Sequence, residues 1–98
     1  MITKEFTVKI PEGLHARPSA YLAQNLLTYN LNQVIFECNG QKTKIGCSLM
    51  ELLMLGAYMG SKIKVQISGN KETEAMAFME KFFNFEMEEE IYGEILKF

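Results

Sequence analysis

The chain contains one His and one Arg, two residues apart in Gly13-Leu14-His15-Ala16-Arg17-Pro18-Ser19-Ala20. Pro18 suits the first turn of a helix, where no backbone N–H is needed, so the pair falls where a helix begins. A neutral imidazole nitrogen is a competent nucleophile, and the positive end of a helix disfavours imidazolium while attracting anions. The free N–H groups there can hold phosphate oxygens. Arg17 adds planar donors matched to phosphate, with a charge that survives at any working pH. Phosphoryl transfer asks a protein mainly for positioning and charge stabilisation, so these groups suffice for it with no metal and no cofactor. A plainer reading stays open, in which His15 is a surface or capping residue and Arg17 is simply solvated. Metal binding has little support, because Cys38, Cys47 and His15 lack ligand-type spacing. Two Cys without a dense framework read as reduced thiols.

The elements that must position this pair follow from hydropathy periods. From Ile2 to Ile10 the even positions are apolar except Lys4, the signature of a half-buried strand. Pro11-Glu12-Gly13 ends it and delivers Leu14 and His15 on a loop. Ala20, Leu22, Ala23, Leu26 and Leu27 recur at helical spacing, which predicts a helix over about 16–28 that ends near Asn30 and Asn32. Residues 33–38 and 41–45 flank Asn39-Gly40, the best dipeptide for a type I′ hairpin turn. Ser48 and Glu51 fit a capping box opening a short helix that stops at Gly56. At least two of Leu49, Met50, Leu53 and Met54 are expected in the core. Residues 62–67 alternate as a one-sided strand, and Ala75, Phe78, Met79, Phe82 and Phe83 predict a helix over about 71–84. The order β-α-β-β-α-β-α with one-sided strands predicts an α+β fold. It is an open-faced two-layer sandwich, a four-stranded antiparallel sheet with three helices on one face.

Ninety-eight residues with 48% hydrophobic content suffice for one core and no second. The net charge of −2 is uneven, since residues 86–98 hold five Glu and one Lys. The remaining body is only slightly basic, which gives no case for direct nucleic-acid binding. There is no apolar leader segment and no window near the roughly 18 apolar residues of a membrane span. A cytoplasmic monomer without membrane insertion is expected. Ile91, Tyr92, Ile95, Leu96 and Phe98 leave the place of the acidic tail open, as an amphipathic turn, a segment docked elsewhere or a solvated extension, and Glu88, Glu89 and Glu90 could repel acidic partners or fold back towards Arg17 and compete with phosphate. The elements enclosing the core precede residue 86, so the tail is expected to tune and not to build.

Gly-Leu-His-Ala-Arg-Pro closely resembles the phosphorylation-site signature of the HPr family, the histidine phosphocarriers of the bacterial phosphoenolpyruvate-dependent sugar phosphotransferase system. The resemblance extends to the strand order, Asn39-Gly40, the Ser48 helix start and Leu55-Gly56. It spans about residues 1–85, with 86–98 as an acidic extension. It implies a stoichiometric carrier and not a catalyst. In it, His15 takes the phosphoryl group on Nδ1 from enzyme I and gives it to the IIA domains of sugar permeases. Arg17 matches the phosphate-contacting arginine, and Ala16 a position whose backbone N–H faces the phosphate. Met50 matches an exposed apolar position where those partners dock. Ser48 falls at the regulatory serine of many Gram-positive members, the target of an HPr kinase/phosphorylase whose product binds a catabolite-control transcription factor. Here Cys47 replaces the usual preceding Lys, the segment from Gly40 to Ser48 is one residue longer, and helix capping alone also explains Ser48. The resemblance leaves two alternatives, a carrier in a parallel regulatory relay and a catabolite-repression adaptor acting through Ser48. Adaptors of that kind lack the active-site His.

Overall fold

Alternation along two distant segments resolves into one pair of strands. In the computed structural model, which describes residues 1–96 with the side chains of 94–96 excepted, β1 (Ile2–Thr7) lies antiparallel to β4 (Lys62–Ser68), with Ile2 opposite Ile67 and Phe6 opposite Ile63. β2 (Gln33–Cys38) flanks β4 on its other side, and β3 (Gln41–Lys42) pairs with β2 across the Asn39-Gly40 turn. The sheet order is β1-β4-β2-β3. Asn39 and Gly40 both have positive φ, 53° and 77°, as a type I′ turn requires. The helices are α1 (Ala16–Leu27), α2 (Leu49–Met54), α3 (Glu72–Phe83) and α4 (Glu88–Leu96). The architecture is the expected α+β layering with one further helix at its C-terminus. The side chains of Ile95 and Leu96, and all of Phe98, lie outside the described residues.

Period-two burial carries the strands. Phe36, Ile63, Val65 and Ile67 are fully enclosed, while Glu5, Lys62 and Lys64 face water. Phe83 of α3 stacks on Phe6 at 5.4 Å and meets Phe36 edge-on at 6.5 Å, joining helix layer to sheet. Burying such a ring contributes roughly 1.5–3 kcal/mol. Lys4, the break in the β1 alternation, sits at the sheet edge with its ammonium 3.7 Å from Glu80. That exposed pair adds little.

Three expectations change. The first strand was expected to reach Ile10 and instead ends at Thr7, because the Val8 amide turns to Ser61 O and the Lys9 amide to Phe83 O. Val8 and Ile10 remain fully buried, which is why their period persists. The hairpin's second strand stops at Lys42 and not Ile45. Thr43 Oγ1 accepts the Phe36 amide, and the Glu51 carboxylate takes the amides of Lys44, Ile45 and Gly46, so the chain is drawn off the sheet. A Cβ on Gly46 would stand 2.1 Å from Val34 O, so only glycine passes there. Finally, none of Leu49, Met50, Leu53 and Met54 belongs to the core. α2 buries Leu52, followed by Leu55 three residues on, and the other four side chains are exposed.

The Ser48 hydroxyl caps α2 by accepting the Glu51 amide at 3.4 Å. The reciprocal half of the capping box is not formed, because the Glu51 carboxylate is engaged by the preceding loop. The Lys44 and Ile45 amides hold the Glu51 carboxyl below its usual pKa. A carboxyl depressed in the folded state contributes stability above its unfolded pKa and loses it as pH falls through the folded value. Glu51→Gln is therefore expected to lower the melting temperature near neutrality, with the gap to the parent closing on acidification below the ordinary value of 4.5. Ser48→Ala is expected to cost about 1 kcal/mol in a denaturant titration, as loss of a helix cap does.

Candidate functional site

The loop after β1 is held against the segment between α2 and β4. The Gly13 amide bonds to Ile10 O at 2.8 Å, and the Leu14 amide to Ala57 O at 2.9 Å. Gly13 has φ +68°, and a Cβ there would lie 2.3 Å from the Ala57 carbonyl oxygen. Leu14 is buried. The next residue, His15, is thus placed as the N-cap of α1 with φ −80° and ψ −175°, exposed, its side chain making no capping bond. The capping reading of His15 is thereby removed. The first α1 bond runs from Ser19 N to His15 O at 3.0 Å, and Pro18 has no N–H. The Ala16 and Arg17 amides consequently have no acceptor within the helix.

The first turns of the other helices carry acids: Glu51 in α2, Glu72 and Glu74 in α3, and Glu88, Glu89 and Glu90 in α4. α1 has none. The positive end of α1 is therefore left open to an incoming anion. Arg17 is exposed and makes no ion pair among the described residues.

Arg17 also borders a cleft of about 580 Å³ lined by Ala16, Ala20, Tyr21 and Gln24 of α1, Leu49 of α2, and Glu90 and Ile91 of α4. The sequence left this wall open, with a fold-back of the Glu run towards Arg17 among the alternatives, and Glu90 takes that side of the cleft. Ile91 is only 4% exposed and joins the core, and Tyr21 Oη approaches Met87 Sδ at 3.8 Å. Tyr92 donates its hydroxyl to the Glu12 carboxylate, and its ring meets Phe85 edge-on. The usable signal was the i, i+4 pair Met87 and Ile91, obscured by the Glu run between them.

Met50 projects from α2 at 65% exposure and Met54 at 71%, leaving an apolar surface on the helix whose Leu49 borders the cleft. Ser48 is half-buried at the start of that helix. Burial pushes the Cys47 and Cys38 thiols up, which keeps both protonated and unreactive near neutrality. Among the described residues no group of three or more His, Cys, Asp or Glu is placed to hold a metal ion.

A family model described as the PTS HPr component phosphorylation site matches residues 2–84. The chain belongs to the HPr family. Members of this family are phosphocarriers and not catalysts in their own right. It is 36% identical over 85 residues to the HPr-like protein Crh of Halalkalibacterium halodurans, covering 83% of this chain and 99% of that one. It is 32% identical to the phosphocarrier protein HPr of Xylella fastidiosa over 83 residues, with 85% and 91% covered. The phosphocarrier protein HPr from Bacillus anthracis shares its fold with a TM-score of 0.76 at 24% identity, over 84% of this chain and 95% of that one. No described helix is long and apolar enough to cross a membrane.

The family match ends at residue 84 and α4 lies beyond it, and Ile91 amends the expectation of a core closed before residue 86. Ile91→Ala is expected to cost roughly 2 kcal/mol in a urea titration. An unchanged midpoint would mean that α4 does not dock in solution.

Proposed function

We propose that this protein is a phosphoryl carrier in which His15 accepts the group from enzyme I and delivers it to IIA domains of sugar permeases. The observation that carries the reading is the conjunction at the start of α1. An exposed imidazole and an exposed guanidinium, neither of them bonded or ion-paired among the described residues, stand beside two uncapped amides at a helix start with no first-turn acid. In the forward step an Nδ1 lone pair forms the N–P bond as the donor's bond to phosphorus breaks. In the second step the acceptor's nucleophile displaces His15 from phosphorus, and the neutral imidazole is regenerated. The Ala16 and Arg17 amides and the Arg17 guanidinium bind the equatorial oxygens, whose charge they stabilise throughout. The exposed side chains Met50 and Met54 supply an adaptable apolar surface for partners that differ in shape. The carrier works as a monomer in the cytoplasm, with residues 1–85 as its working domain.

A second reading rests on the similarity to an HPr-like protein Crh. There the protein acts as an adaptor, phosphorylated on Ser48 by an ATP-dependent kinase and recognised by a transcription factor. Its Ser48 hydroxyl is engaged as a helix cap, and the reading leaves the open site at His15 without a task.

Incubation with phosphoenolpyruvate and enzyme I, followed by intact mass measurement, is expected to add one phosphoryl group. Mild acid should remove it and mild alkali should not, because protonation makes the imidazole a good leaving group. His15→Ala should abolish labelling. Arg17→Lys should keep some labelling but transfer about tenfold more slowly, because an ammonium retains the charge and loses the planar donor set. Acid-stable label, or label persisting in His15→Ala, overturns the reading.

A further inference from the structure

Glu12 and Arg17 flank His15 in sequence, three residues before it and two after. Their charges are opposite, and an ion pair between them would occupy the guanidinium that the phosphoryl group requires. The structure contains no such pair among the described residues. Glu12 is bonded to Tyr92 of α4.

Tyr92 is well placed for this. Ile91, its neighbour, is locked into the core, and Tyr21 meets Met87 one helical turn earlier. Both charges beside His15 act on the Tyr92 hydroxyl. Burial, then the hydrogen bond and charge of Glu12, push its pKa up, Arg17 pulls it down, and Glu88 adds to the rise. The hydroxyl therefore stays protonated and serves Glu12 as a donor. Glu90 lines the same cleft as Arg17 from the α4 side.

We infer that Tyr92 is a positioning residue for phosphoryl transfer: by donating to Glu12 it keeps that carboxylate off Arg17 and leaves the guanidinium free for the phosphoryl group on His15. The inference rests on the carrier reading and deepens it, giving the C-terminal helix a role at the site. It acts through Glu12, so it makes a demand that general support of the fold does not. The effect of losing the Tyr92 hydroxyl must vanish when Glu12 carries no charge.

The experiment is a double-mutant cycle on the full chain, read as the initial rate of labelling by phosphoenolpyruvate and enzyme I. Tyr92→Phe, which keeps the ring against Phe85, is expected to slow labelling about tenfold, the scale of a charged hydrogen bond redirected at a transfer site. In a Glu12→Gln background the same change should have almost no effect. The side-chain Nε–H resonance of Arg17 should shift in Tyr92→Phe and return in the double variant. An equal loss in both backgrounds would show a structural role and overturn the inference, as would an undiminished rate in Tyr92→Phe alone. Thermal melts of all four proteins identify a folding defect, and the Arg17 resonance in the folded variants then decides the matter. Absence of label in the parent protein would instead overturn the carrier reading, and this inference with it.

Discussion

The bond from the Leu14 amide to the Ala57 carbonyl, with Gly13 pressed beneath that same carbonyl, sets the rest of the site. It joins the loop after β1 to the loop before β4, and it fixes where α1 begins. Leu14 enters the core as an anchor, and the next residue must then turn outward. His15 is exposed for that reason, and Ala16 opens the helix behind it. A side chain at Gly13 would push the loop off Ala57 and carry the imidazole away from the helix axis. The proposed chemistry thus depends on Gly13, Leu14 and Ala57, three residues that take no part in it.

Electrostatic design follows from the same geometry. A helix start gathers partial positive charge, and in α2, α3 and α4 the chain places Glu residues there. At α1 it places Ala, Arg, Pro and Ser. The open end is kept open although α4 brings several carboxylates into its neighbourhood. Tyr92 bonded to Glu12, and Glu90 on the far wall of the cleft, show how acidic side chains are accommodated there.

Much of this was legible in the sequence, and the failures have physical causes. Period-two burial identified β1 and β4, and Asn39-Gly40 identified the hairpin, because those signals arise locally. The proposed site residues His15, Ala16 and Arg17 fall together for the same reason: one loop and one helix start contain them. Glu51 was misread because its carboxylate had two possible clients, the Ser48 amide and the loop amides of 44–46, and only the folded loop shows which is nearer. At least two of Leu49, Met50, Leu53 and Met54 were expected in the core from helical periodicity, and none is there. A helix of six residues has room for few buried side chains, and Leu52 with the following Leu55 takes that place. The place of α4 stayed open because Ile91 and Tyr92 are embedded among charges, and the contacts that fix it, Tyr21 with Met87 and Glu12 with Tyr92, span 66 and 80 residues of sequence.

The pairing of Ile2 with Ile67 has a kinetic consequence. β1 can find its neighbour only after the more than fifty residues that separate it from β4 have been synthesised. Closing so long a loop must be met entropically before any ladder bond repays it. The β2–β3 turn and the individual helices have no such delay. Ala57, which anchors the histidine loop, precedes β4 by only a few residues, so the loop can settle as soon as the sheet closes. Helix α4 follows α3 in the chain and docks on a surface already made. Assembly therefore runs in an order that seats the His15 loop first and adds the wall of the neighbouring cleft afterwards.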